Sequence, residues 1–253
     1  MIFYFFLIRI ASLWNKKARK LVRGQKAAMQ ELKEKYTPGR WYWFHAASVG
    51  EFEQGRPVIE RIRKEHPEIK ILLTFFSPSG YELRKDYKGA DLVTYLPFAT
   101  RRNAKRWLDV LNPEKVIFIK YEFWPAYLRQ LRKRGIATYS IASVFRKKQF
   151  FFRPLIGKPY RNLLKCFTGL LVQDEMSKQL LEKYGILNVQ VCGDPRFNRV
   201  AQIAAQAKEI PMIDRFTQGM PENETVAESV MRMPKKILVA GSTWPKDEEL
   251  LAR

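Results

Sequence analysis

Three ionisable side chains stand where chemistry would need them. Glu51 follows His45-Ala46-Ala47-Ser48-Val49-Gly50 and precedes Phe52. Glu122 opens Glu122-Phe123-Trp124-Pro125, just after the apolar run Val116-Ile117-Phe118-Ile119. Arg196 lies in Gly193-Asp194-Pro195-Arg196-Phe197-Asn198. A carboxylate at the start of a helix either caps free N–H groups or takes a proton from a substrate. Position alone favours the cap for Glu51 and leaves the two uses of Glu122 balanced. Arg196 by itself is one surface cation among many. His45 and His66 are the only histidines, and Cys166 and Cys192 the only cysteines, with no C-x-x-C. A multi-histidine metal centre, a cysteine zinc site and a Ser-His-Asp triad are therefore disfavoured. An enzyme with this sequence works with carboxylates and cations, and no metal or cofactor is expected.

The elements around these residues alternate. Trp41 to Phe44 reads as a buried strand, Ser48 and Gly50 as a tight turn, and the stretch with Pro57, Val58, Ile59 and Ile62 as a helix closed by His66-Pro67. Strands are predicted at 41–46, 70–76, 91–96, 115–120, 137–142, 169–173, 189–192 and 236–240. Ala104, Trp107, Leu108 and Leu111 fall on one helical face, as do Met176, Leu180, Leu181 and Tyr184, with Gly185 as a stop. Strand-helix alternation predicts an α/β fold, a doubly wound, largely parallel sheet with helices on both faces. Glu51 and Glu122 then both lie at carboxyl ends of strands, where ligands bind in such sheets.

Composition adds a partner. The 253 residues carry 46 Lys and Arg against 25 Asp and Glu, a formal charge of +21. That excess implies nucleic acid, anionic lipid or a phosphorylated substrate. Met1 to Trp14 is apolar but interrupted by Arg9, and too short for the roughly 20 residues of a comfortable span. Lys16, Lys17, Arg19, Lys20, Arg23 and Lys26 follow. Residues 1–26 are expected to lie as a helix on an anionic membrane face, the competing use being packing on the protein's own core. Arg146, Lys147 and Lys148 precede Phe150-Phe151-Phe152, phenylalanines that either anchor a loop or touch substrate; no RNA-binding signature accompanies them. Residues 209–234, with Pro211, Gly219, Pro221 and Pro234, read as a linker. After it, Ile237 to Ala240 and Gly241-Ser242-Thr243 read as a strand and turn opening a second domain that the sequence as given cuts short.

Several motifs in order resemble one family. Ala47-Ser48-Val49-Gly50-Glu51 is similar to the S-V-G-E loop of the Kdo transferases, which move 3-deoxy-D-manno-oct-2-ulosonic acid (Kdo) from CMP-Kdo onto lipid A precursors. Ser77-Pro78-Ser79-Gly80, Tyr95-Leu96-Pro97, Glu122-Phe123-Trp124-Pro125, Gly193-Asp194-Pro195-Arg196-Phe197-Asn198 and Gly241-Ser242-Thr243 follow in the family's order. The resemblance implies an inverting, metal-independent GT-B glycosyltransferase at the cytoplasmic face of the inner membrane. Residues 27–208 would be its Rossmann-like acceptor domain and 235–253 the start of its nucleotide domain. It makes Glu51 the base for the 6′-hydroxyl of a lipid A disaccharide. Glu122 becomes the anion facing an oxocarbenium-like centre, and Arg196 the cation for the donor's phosphate or carboxylate. Ser48 and Gly50, and Ser242 and Thr243, would contact substrate. Ala99 stands where the family has an aspartate, and Glu53 sits off the motif as a solvated helix residue. The competing readings are a GT-B enzyme for another nucleotide sugar, or a non-catalytic basic protein binding anionic lipid or RNA.

Overall fold

The computed structural model describes residues 2–154, 156–205, 213 and 240–252. The chain forms two compact units, Met1–Gln202 and Ile203–Arg253. The first holds strands β1 (Trp41–Ala46), β2 (Lys70–Phe75), β3 (Leu92–Tyr95), β4 (Lys115–Ile119), β5 (Ala137–Ser143), β6 (Gly169–Val172) and β7 (Val189–Val191). All neighbours are parallel, in the order β3-β2-β1-β4-β5-β6-β7. The order reverses between β1 and β4, so the crevice that such sheets offer to ligands opens there. Seven of the eight expected strands are thus in place. The eighth, 236–240, and the linker 209–234 lie outside the described residues apart from Ala240 and Ile213.

The helices are α1 (Ile2–Ala11), α2 (Lys16–Lys35), α3 (Val49–Glu65), α4 (Pro78–Arg84), α5 (Arg101–Leu111), α6 (Pro125–Lys133), α7 (Gly157–Leu164), α8 (Glu175–Lys183) and α9 (Pro195–Ala205), with α10 (Pro245–Leu251) in the second unit. Period-two alternation splits β1 between two cores. Trp41 and Trp43 join the larger core with residues of α2, α5, α6, α7 and α8. Tyr42, Phe44 and Ala46 join a smaller one with Phe52 and Ile59 of α3. Helices on both faces make the expected doubly wound sheet.

The expected face of α5 is buried throughout, and Thr100 caps its first turn. In α8 the expected face is only half right. Leu180 and Leu181 are buried, but Met176 is exposed, because Ser177 turns inward and binds Asp174 and Phe145 instead. Residue 26 falls inside α2, whose Leu21, Val22, Ala28 and Leu32 pack onto the fold. No helix among the described residues is long and apolar enough to cross a membrane.

Candidate active site

Glu51 comes to the crevice on α3. Ser48 is the N-cap in extended conformation and Glu51 the third helical residue. Glu51 Oε2 accepts from the Ser48 backbone N–H at 2.9 Å and from Ser48 Oγ at 3.3 Å. The expected tight turn at Ser48 and Gly50 is instead the first turn of α3. Gly50 is not in a left-handed conformation, and a Cβ there would meet only Ser48 Oγ, 4.0 Å away. Bare backbone therefore faces open space beside Glu51. Further along α3, a Cβ on Gly55 would lie 2.3 Å from Ile119 Cδ1. Only glycine lets α3 approach β4 this closely.

Glu122 arrives from the neighbouring strand. Lys120, just past β4, takes a left-handed backbone at φ 62°. Its N–H donates to Ile141 O at 2.8 Å, and its carbonyl accepts from Ser143 Oγ at 2.8 Å and Ser140 Oγ at 3.2 Å. That clamp turns the chain back toward β1. Glu122 Oε2 then lies 3.1 Å from His45 Nε2 and accepts from Trp124 Nε1 at 2.8 Å. The Glu122 side chain is only 11% exposed.

Glu51 feels the second carboxylate. Glu51's pKa is raised from its ordinary value, first by burial and second by the charge of Glu122; the Ser48 and Ala47 N–H groups oppose this. Glu51 therefore caps α3, and its carboxyl holds a proton more tightly than an ordinary glutamate.

The structure adds His45 to these residues. It is fully buried, with Nδ1 2.9 Å from Thr74 Oγ1 and 3.1 Å from Thr74 O. Strand alternation puts it on the Trp41 and Trp43 side of β1, and a polar ring buried there needs partners. That signal was available in the sequence; the partners were not.

Arg196 lies in the first turn of α9. It is exposed and pairs with Asp194, Nη2 to Oδ2 at 2.6 Å and Nε to Oδ2 at 2.8 Å. The Arg196 hydrogen bond, opposed by burial, holds the Asp194 carboxyl below its ordinary range, and the charge of Lys120 adds to the effect. Ser242 and Thr243 belong to the second unit. Ser242 is left-handed at φ 61°, and Thr243 Oγ1 donates to Glu248 at 2.8 Å.

Other sequence features take structural work. Phe151 and Phe152 are buried anchors; Phe150 is 44% exposed and stacks on Phe151. Arg146 binds Asp174 with two nitrogens, at 3.2 and 2.8 Å. Pro97 O accepts from the buried Tyr127 hydroxyl at 3.0 Å. Glu53 is not simply solvated, since it binds Arg84 at 2.8 Å. Among the described residues no group of three or more His, Cys, Asp or Glu side chains is gathered that would hold a metal.

Among solved structures, the first unit's fold is similar to a putative UDP-N-acetylglucosamine 2-epimerase from Listeria monocytogenes. The TM-score is 0.52 at 11% identity, over 72% of this chain and 52% of that one. An S. aureus MnaA–UDP structure matches with TM-score 0.51 at 7% identity, over 70% and 51%. Both likenesses concern fold alone. In sequence, a 3-deoxy-D-manno-octulosonic acid transferase of Chlamydia pneumoniae is 30% identical over 195 residues, 73% of this chain and 44% of that protein. Its namesake from Aquifex aeolicus is 27% identical over 198 residues, 77% and 50%. That from Rickettsia bellii is 24% identical over 243 residues, 89% and 52%. The chain spans about half the length of the curated relatives it matches. A family model described as 3-deoxy-D-manno-octulosonic-acid transferase (kdotransferase) matches residues 16–199, well over half of the chain. With the carboxylate pair placed at the switch point, that match settles the membership: this chain belongs to the Kdo transferase family of glycosyltransferases.

Proposed function

We propose that the protein transfers Kdo from CMP-Kdo to a lipid A precursor, lipid IVA, with inversion and without a metal, and that Glu51 is the base. The acceptor's 6′-hydroxyl gives its proton to Glu51 as its oxygen bonds to the anomeric carbon of Kdo. The bond from that carbon to the phosphate oxygen breaks, and CMP leaves with the electron pair. Glu122 faces the positive charge that develops on the sugar. Arg196 meets the donor's phosphate or carboxylate; Ser48 and Gly50 lie beside the acceptor, and Ser242 and Thr243 beside the nucleotide. The first unit binds the acceptor.

One observation supports this reading above others. A half-buried carboxylate of raised pKa stands beside open backbone at a switch point, with a second carboxylate close enough to perturb it. A sugar hydroxyl needs such a base at neutral pH. The decisive experiment is Kdo transfer by the protein expressed from its natural reading frame, with and without Glu51→Gln.

We further propose that the enzyme works on the cytoplasmic face of the inner membrane. Leu7, Ile10, Leu13 and Trp14 are exposed beside Lys16, Lys17 and Arg19. Apolar side chains next to cations suit an anionic lipid surface.

A further inference from the structure

The buried cluster of His45, Thr74, Glu122 and Trp124 has a definite hydrogen count. Thr74 is the register partner of His45 across β1 and β2. Its hydroxyl accepts from Trp43 Nε1 at 2.8 Å and donates its one proton to Phe44 O at 3.1 Å. Toward His45 it is left only as an acceptor, and Thr74 O accepts by nature. Nδ1, close to both, must therefore carry a proton. Phe118, the partner of His45 on β4, packs edge-on to the ring at 5.9 Å and offers no competing acceptor.

The other ring nitrogen then has a restricted choice. Nε2 lies 3.1 Å from Glu122 Oε2, and the Trp124 indole N–H points at both, 3.1 Å from Nε2 and 2.8 Å from Oε2. Trp124 can only donate. Nε2 and Oε2 at that separation need a proton between them, since two bare acceptors repel. Nearby, Glu51 on α3 feels the charge of Glu122, and Lys120 stands two residues before Glu122.

We infer that His45 is the positioning residue of Glu122: locked as the Nδ1–H form by Thr74, it holds one proton in common with Glu122 Oε2 and so fixes where that carboxylate stands in the crevice. The proton is either on oxygen with a neutral ring or on Nε2 with a carboxylate. Passing between the two forms no net charge and loses no atom. A glutamate without this partner could swing on its side chain. The inference rests on the proposed glycosyl transfer only for what Glu122 faces; the proton arrangement stands on the hydrogen-bond geometry.

The experiment is the long-range ¹H–¹⁵N spectrum of the imidazoles in this chain at neutral pH. His45 and His66 are the only two, and His66 is exposed, so it serves as the internal control. The expected result is a His45 Nδ1–H that exchanges slowly with water, and an Nε2 signal that moves to the bare-nitrogen position in Glu122→Gln, which has no acidic proton to share. A proton found on Nε2 with Nδ1 bare, or an Nε2 signal unmoved by Glu122→Gln, overturns the inference. The wild-type spectrum decides the tautomer even if the variant does not fold. In the protein from its natural reading frame, His45→Asn keeps an amide N–H for Thr74 but cannot reach Glu122. It should lower kcat about a hundredfold, the usual effect of a misplaced group, with KM little changed. An unchanged kcat overturns the positioning role. Absence of Kdo transfer in the wild type would count against the proposed function and leave the spectrum as it is.

Discussion

The backbone N–H of Ser48 donates to Glu51 Oε2 at 2.9 Å, so the carboxylate that closes the first turn of α3 is the same one whose pKa is raised. The two roles respond differently to Glu51→Gln. The amide keeps an acceptor for Ser48 but cannot take a proton. Transfer should fall by about two to four powers of ten. Stability should change by about 1 kcal/mol or less, because a weaker cap is offset by removal of a charge that burial disfavours. Initial rates at saturating acceptor and thermal unfolding together check this. A near-normal rate with a lowered melting temperature would leave Glu51 as a cap only.

The rate should carry an acid limb from Glu51. A base must be ionised, so turnover falls as pH drops through a value above the ordinary 4.5. Glu122→Gln removes the second cause of the rise and leaves burial, the first. The limb should therefore move to lower pH, whatever happens to the maximum rate. For stability the sign is the reverse. The fold holds the Glu51 proton more tightly than the unfolded chain does, so this group's contribution declines as pH rises from the ordinary value through the raised one. A pH–rate profile whose limb stays put in Glu122→Gln would contradict the coupling.

Gly55→Ala tests the packing that brings Glu51 to the crevice. The new methyl would sit 2.3 Å from Ile119 Cδ1 and 2.9 Å from Cγ1, and Ile119 is fully buried. Overpacking of this kind costs about 1–3 kcal/mol. Adding Ile119→Val removes the nearest atom, so the double variant should be more stable than the sum of the single effects predicts. Denaturant midpoints of the four proteins measure this directly.

Asp174 should matter for stability above acidic pH. The Arg146 hydrogen bond is the main reason its pKa is lowered to about 2; burial opposes it, and Ser177 helps. A lowered carboxyl contributes stability above its unfolded value and loses it as pH falls toward about 2. The ion pair is partly exposed, so Asp174→Asn should cost only about 1–2 kcal/mol at pH 7 after allowance for screening. The gap between wild type and variant, read by urea unfolding, should shrink between pH 7 and pH 2. A gap constant with pH would place the whole effect in the helix cap.

Membrane binding should be tested without dismantling α2, since its Leu21 and Val22 are core residues. Removing residues 1–14 takes away Leu7, Ile10, Leu13 and Trp14, and leaves the cations that follow. Flotation with anionic vesicles should weaken strongly, and what remains should disappear in high salt. Flotation unchanged by the deletion would remove α1 from the contact.

The parts of this protein that were legible in its sequence are those set by local pattern. Seven strands, the buried face of α5 and the strand-end placement of Glu51 and Glu122 follow from periodicity and from alternation of elements. His45 was not legible as a site residue, because its role depends on Thr74, 29 residues on, and on Glu122, 77 residues on. Met176 was misplaced because the face of α8 is decided by the inward hydroxyl of Ser177, a polar residue that a hydrophobic count ignores. Arg196 is legible as a cation, but its grip on Asp194 is a matter of side-chain geometry.

The pairing of β1 with β4 has a consequence for how the protein comes into being. His45 and Glu122 meet only after α3, β2, α4, β3 and α5 have been looped out between them. Contacts that close so long a loop form late, because the loss of chain freedom precedes the gain. On a growing chain, α3 and its Glu51 emerge well before Glu122 does. Until β4 docks, Glu51 lacks its second carboxylate, and His45 has no carboxylate with which to share a proton. The crevice is thus completed only once β5 has clamped Lys120 behind β4, and until then the Glu51 carboxyl lacks the second of the two causes that raise its pKa.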